Sequence, residues 1–202
     1  MNVLIAIDPG ASGGICVLSG TQLRVYPTPS TPRETCDIFE NALEDSLSIR
    51  CYVERVGGYV GPSFDREGME GGQPASRAFQ FGCNFGVLLG ILTALKIPFE
   101  LVTPQTWIKG LGLGTKGLLK PELNASMGKP ERIAEIKRVN SINNKLKTAW
   151  KNKLKEVAQR LYPREHITLK TSDALLILEW ARRRENAPMA VAPEPPQKEM
   201  AL

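Results

Sequence analysis

The chain has a single histidine, His166, and only four cysteines in 202 residues. Cys16, Cys36, Cys51 and Cys83 lie far apart and form no Cys-x-x-Cys pair. That spacing excludes the usual zinc signatures and a disulfide framework. Buried free thiols in a reducing compartment are expected instead. A long hydrophobic run is also missing. The longest apolar stretch, residues 87–95, is broken by Gly90 and Thr93 and is far short of the roughly 20 residues that span a bilayer. Met1-Asn2-Val3 has neither the basic lead-in nor the apolar run of a secretory signal. No internal repeat is visible.

What is present is an ordinary apolar fraction, 42%, in a length that suits one α/β domain. Charge is unevenly placed. Residues 1–108 carry 7 basic and 11 acidic side chains, residues 109–170 carry 15 and 5, and residues 171–202 carry 4 and 5. The middle segment therefore sums to +10, on a body that is otherwise mildly acidic. Such asymmetry predicts a polyanion-facing segment. A solubilising lysine-rich helix is the alternative.

Residues 3–8 read as a buried strand. Residues 13–19 and 22–26 read as two more, joined by Ser19-Gly20-Thr21 into an antiparallel meander. A helix is expected from Pro32 to about Leu47, anchored by Ile38, Leu43 and Leu47. Residues 49–54 form a fourth strand. Residues 57–74 are glycine-rich without a stable period and predict a long loop. Residues 75–95 are the clearest helix, with Ala78, Phe81, Phe85, Leu88, Leu92 and Leu95 at spacings of three and four, and with Gly82, Gly86 and Gly90 every fourth residue. A short strand over 99–103 ends at Pro104. Residues 110–128 look like a flexible basic loop, and 132–161 like a basic helix that Asn140–Asn144 threatens to interrupt. Residues 171–184 are the last helix. The tail 187–202 holds four prolines and is expected to be disordered. Residues 1–186 thus read as one domain, with a basic insertion around 109–150.

Two strands end in carboxylates, Asp8 and Glu54, and Asp173 opens the last helix. If the strands lie side by side, these acids meet at one sheet edge. Three oxygen ligands without an obligate cysteine or histidine suit Mg²⁺ or Mn²⁺. Two such ions about 4 Å apart activate water for phosphodiester hydrolysis. Each acid also has a plain structural reading. Asp8 before Pro-Gly makes a turn, Glu54 pairs with Arg55 or a lysine, and Asp173 complements a helix N-terminus. An Asp-x-Gly turn after a strand also opens the actin-like ATPases, which need a second lobe.

In its motifs the sequence resembles the RuvC-like Holliday junction resolvases of the ribonuclease H-like superfamily, nearest the divergent phage-type group. IAIDPGASGG at 5–14 is similar to the family's first-strand motif, YVERV at 52–56 to its second acidic strand, and SDALLILEWARRR at 172–184 to its C-terminal acidic helix. FGCNFGVLLGILTALKIPFELVTPQTWIK at 81–109 and KNKLKEVAQRLYP at 151–163 resemble the central helix with its following strand and the basic helix before the last motif. The resemblance implies an α/β ribonuclease H-like mixed sheet, three antiparallel strands and then parallel ones, flanked by helices. It implies a crossover-junction endodeoxyribonuclease in the cytoplasm, at the bacterial nucleoid or in a phage-infected host. Asp8, Glu54 and Asp173 take the metal-ligand positions, with Mg²⁺ as cofactor and Mn²⁺ as substitute.

The departure is at a fourth acid, which relatives place three or four residues before the position of Asp173. Here those positions hold Lys170 and Leu169. Glu165 is the candidate for that role, His166 a candidate general base instead, and Lys170 a further candidate site residue. Glu179 lies six residues past Asp173 and so on a different helix face. For DNA contact the candidates are Lys109, Lys116, Lys120, Lys147, Lys151, Lys153 and Lys155 as phosphate-gripping cations, with Arg66 and the stacking ring of Phe64 in the loop 57–74. Tyr59 in that loop is a lesser candidate, and Trp107 is expected in the core. A homodimer through the helix 75–95 is implied, branched four-way DNA is the expected partner, and no membrane is. Another ribonuclease H-like nuclease and a non-catalytic junction-binding protein stay open as alternatives.

Overall fold

The computed structural model describes residues 1–44, 46–55, 63, 64, 70, 71, 75–124 and 126–186, with side chains outside 63–78. Strand β1 (Asn2–Asp8) pairs antiparallel with β2 (Gly14–Ser19), and β2 pairs antiparallel with β3 (Gln22–Pro27). Helix α1 (Pro32–Glu44) carries the chain across to β4 (Ser48–Glu54), which lies parallel to β1. A two-residue pairing, β5 (Ser63–Phe64) with β6 (Glu70–Gly71), precedes helix α2 (Ala75–Ala94). Strand β7 (Phe99–Val102) then adds parallel to β4, giving the sheet order β3-β2-β1-β4-β7. This is the mixed α/β sheet expected, with its antiparallel start and parallel continuation.

Alternation along the strands divides the interior in two. Val3, Ile5 and Ile7 of β1 and Cys51 and Val53 of β4 face Phe39 of α1 and Leu88 and Leu92 of α2. Leu4 and Ala6 of β1 and Tyr52 of β4 face the other way. There they meet α3 (Pro104–Gly110), the C-terminal half of α4 (Lys129–Leu161) and α5 (Ser172–Arg184). Helix α5 is enclosed rather than striped, since every residue from Ser172 to Glu179 is buried.

Several expectations need correction. Leu47 does not anchor α1, because the helix ends at Glu44 and Leu47 is 90% exposed. Cys16 and Cys51 are buried thiols and Cys36 is partly so, but Cys83 is exposed on α2. Helix α3 falls where the sequence shows no period. Its start signals are Thr103, whose hydroxyl accepts from the Thr106 N–H, and Pro104 in the first turn, a position that suits proline. Residues 140–144 do not interrupt α4, which runs on for 33 residues, about 50 Å. Asn143 turns its amide outward to the chain beside it, donating to the Leu119 carbonyl and accepting the Leu119 N–H. It therefore does not compete with the helix for its own backbone.

Among the described residues no helix is long and apolar enough to cross a membrane. Tyr59, Arg66 and the tail 187–202 lie outside the described residues, as does the side chain of Phe64.

Candidate active site

Side-chain parity places the first two acids. In the β1–β4 register Ile7 lies opposite Val53, so Asp8 and Glu54 are the next residues on neighbouring parallel strands. Both share parity with Ala6 and Tyr52, and therefore project to the side of α4 and α5. Asp173, in the first turn of α5, lies on the same side of the sheet and is 7% exposed. Asp8, Glu54 and Asp173 line one cavity of about 320 Å³ together with Lys116 and Lys151.

The glycine-rich turn after β1 has a steric cause. A Cβ on Gly13 would lie 2.1 Å from the Asp8 carbonyl oxygen and 2.8 Å from the Asp8 carboxyl carbon. Any larger residue would displace the acid. The Gly10 N–H donates to Asp8 Oδ1 at 3.1 Å, and the Gly13 N–H closes the turn onto the Gly10 carbonyl at 2.8 Å. Asp8 does make a turn, and that turn holds its carboxylate at the strand end.

The three acids shape each other's ionisation. Burial is the main cause that pushes the Glu54 carboxyl up to about 7, aided by the charges of Asp8 and Asp173 and opposed by the Trp107 N–H and by Lys151. Trp107, 1% exposed, donates from Nε1 to Glu54 Oε1 at 3.1 Å. Burial likewise raises Asp8, with the Gly10 hydrogen bond working against it and the Asp173 charge adding to it. Lys151 forms an ion pair with Asp173 Oδ2. Partial burial would lower its ammonium, but the charges of Asp173, Asp8 and Glu54 outweigh that and hold it above the ordinary lysine range. Three carboxylates against the two lysines that line the cavity, Lys116 and Lys151, leave it short of positive charge.

The three acids share the cavity without closing on one point: among the described residues, no three His, Cys, Asp or Glu side chains are placed to hold an ion as they stand. The donor set is nonetheless a fit for a hard divalent cation. All its atoms are oxygens, and mutual repulsion under burial gives a cation reason to enter.

Other candidates lie elsewhere. Glu165 is partly buried, His166 and Lys170 are exposed, and none of the three lines the cavity. Glu179 is 1% exposed and points away, accepting from Tyr162, Arg182 and Arg183. Burial alone would raise its carboxyl, but those donors hold it below the usual range. Lys109, Lys116, Lys120 and Lys147 are exposed, and Lys155 is partly buried. The Lys153 ammonium donates to the Leu113 carbonyl at 2.8 Å and stands 5.4 Å above the Trp150 ring.

Sequence reasoning misses two contributors. It places Trp107 only in the core, although that ring also holds Glu54. It counts Lys151 among the phosphate-gripping cations without its ion pair to Asp173, which sets it among the acids. A signal for Lys151 is present in the sequence. Trp150, Leu154 and Ala158 are the buried stripe of the C-terminal half of α4, and Lys151 lies at the edge of that stripe, beside Trp150 and one turn from Leu154.

No protein-family model matches the chain, and no curated protein does. Two solved structures of Thermus thermophilus RuvC are similar to it, and both cover 92% of this chain and 98% of their own. One, in complex with a Holliday junction substrate, has a TM-score of 0.49 at 14% identity, and the other has 0.47 at 13%. They carry the name of the family that the sequence motifs resemble, but at that degree of likeness neither activity nor substrate passes from them to this chain.

Proposed function

We propose that this chain is a divalent-metal-dependent endonuclease that cuts four-way DNA junctions. The observation that carries the reading is the convergence of Asp8, Glu54 and Asp173, from two adjacent strand ends and a helix start, in one cavity with Lys116 and Lys151. The cavity borders the segment of net charge +10, which suits a phosphate backbone.

Asp8, Glu54 and Asp173 are the residues that would hold Mg²⁺, or Mn²⁺ in its place. When bound, the metal supplies a water of lowered pKa and charge stabilisation for the leaving oxygen. The chain's own groups prepare the site. Trp107 fixes the orientation of Glu54, which must lose its proton near neutral pH to act as a ligand. Lys151 holds Asp173 in place and, with Lys116, offers positive charge to a phosphate entering the cavity. The exposed lysines of α4 and of the loop before it grip the flanking backbone without reading sequence.

The reading includes a homodimer through α2. Among the described residues, nothing lies within 4 Å of where a Cβ would stand on Gly82, Gly86 or Gly90. Tight packing on the chain's own sheet therefore does not account for the glycines. Phe79 and Val87 on the same helix, and Phe99 and Leu101 on the edge strand β7, are exposed apolar side chains. A two-fold contact there would set two sites on the two symmetric strands of a junction. Location in the cytoplasm, at the nucleoid or in an infected host cell, belongs to the same proposal.

The ion pair of Lys151 with Asp173 and the missing fourth acid favour a second reading, a junction-binding protein that does not cut. A labelled panel of four-way, fork, flap, duplex and RNA–DNA hybrid substrates in Mg²⁺ or Mn²⁺ separates the two. Cleavage of the four-way substrate above all others supports the first reading. Salt-sensitive binding without cleavage supports the second, and preferred cutting of the hybrid or of flaps assigns a different nuclease.

A further inference from the structure

The loop 111–124, between α3 and α4, is tied down at several points yet holds two leucines out. Leu113 is buried, and its carbonyl accepts from Lys153. Leu119 exchanges two backbone hydrogen bonds with the Asn143 side chain, at 2.8 and 2.9 Å. The Glu122 N–H donates to Glu135 at 3.4 Å. Between these ties Leu118 and Leu119 are 45% and 47% exposed. A single exposed leucine needs no explanation, but this pair stands at a particular place. Lys116 and Lys120 flank it, and Lys116 also lines the cavity of the three acids.

Asn143 and Lys151 lie eight residues apart on α4, which puts the leucines about 12 Å along the helix from the acids. That span corresponds to about three to four base steps of duplex DNA. Apolar side chains held beside cations are suited to enter a base step while the cations hold the phosphates on either side. The charge of the segment argues for DNA as the occupant rather than a protein surface.

We infer that Leu118 and Leu119 form an apolar wedge that enters between stacked base pairs of a bound DNA arm and unstacks them within about three to four steps of the cut. This rests on the reading of the chain as a nuclease of branched DNA. The wedge is separate from the loop 57–74 and belongs to the basic insertion.

The test uses the full chain without divalent ion, so that no strand is cut. It is titrated onto four-way junctions that carry one 2-aminopurine at successive positions from the branch point, and onto plain duplex with the same label. The parent raises emission several-fold at one or two adjacent positions. The Leu118→Ser, Leu119→Ser double variant loses that rise and keeps the salt dependence of binding and the melting midpoint of the parent. Leu118→Phe retains the rise. An equal rise in the double serine variant overturns the wedge, as does the absence of any rise on DNA that the parent binds. A lowered midpoint overturns it by assigning the leucines to the core, and a changed association state in sedimentation does so by assigning them to a contact between copies. If the parent binds duplex as well as four-way DNA, the junction reading fails, and the duplex probe alone decides the wedge. If it binds no DNA, both fall.

Discussion

Glu54→Gln should make the metal-free protein more stable while disabling it. The Glu54 carboxyl is pushed up to about 7 from an ordinary 4.5, by burial first and then by the charges of Asp8 and Asp173. Between those two values the folded chain keeps a proton that the unfolded chain has released. The associated stability is fully present below 4.5 and is lost as pH rises through about 7. At about 1.4 kcal/mol per tenfold, the loss at pH 8 is at most about 3 kcal/mol. Glutamine has the same shape, its oxygen still accepts from Trp107, and it carries no charge to bury. In metal-free buffer at pH 8 the variant should therefore melt higher than the parent, by up to roughly 6–12 °C for a chain of this size. At pH 5, where Glu54 is protonated, the two should nearly coincide. Added Mg²⁺ should stabilise the parent at pH 8 and the variant much less. Thermal melts at both pH values with and without Mg²⁺ are sufficient. A variant less stable than the parent at pH 8, or a gap independent of pH, would refute the reasoning.

Three further outcomes follow from the same geometry. Lys151→Met should slow single-turnover cleavage by about 10²–10³, the cost of losing one charged stabiliser of a developing anion; unchanged cleavage would return Lys151 to the role of a remote phosphate contact. Replacing Lys116, Lys120 and Lys147 together by glutamine should flatten the plot of log affinity against log salt by about 0.9 for each phosphate no longer gripped; an unchanged slope would place these lysines away from DNA. Gly86→Leu, with no described residue within 4 Å of its Cβ position, should leave the melting midpoint level or slightly raised, since leucine is the better helix former. In sedimentation it should shift a dimer toward monomer, and a parent that is monomeric where it cleaves would refute the interface.

Much of the fold and the site is legible because the strands are buried on both sides. Residues 3–7 and 51–53 are apolar runs that have to be interior, and Asp8 and Glu54 are conspicuous as the carboxylates that end them. Strand parity then sends both to the same face. The misses are local or tertiary. Leu47 looks like an anchor because apolar spacing alone cannot say where a helix stops, and α1 stops one turn earlier. Asn140–Asn144 looks like an interruption because asparagine competes for the backbone, but Asn143 is taken by a stretch of chain 24 residues away. Helix α3 is only seven residues long, too short to show a period, and its capping threonine and proline are the sole signals. Lys151 shows itself in the sequence only by its place at the edge of the buried stripe of α4; its contact with Asp173, 22 residues away, is made by the packing of α5.

The most direct test of the central claim is single-turnover incubation of the full chain with a labelled four-way junction, with Mg²⁺ or with excess chelator, beside Asp8→Asn in Mg²⁺. Cutting of the junction by the parent in Mg²⁺, none in chelator, and none by Asp8→Asn although it still binds, is the predicted result. Full cutting in chelator, or by Asp8→Asn, would contradict the account.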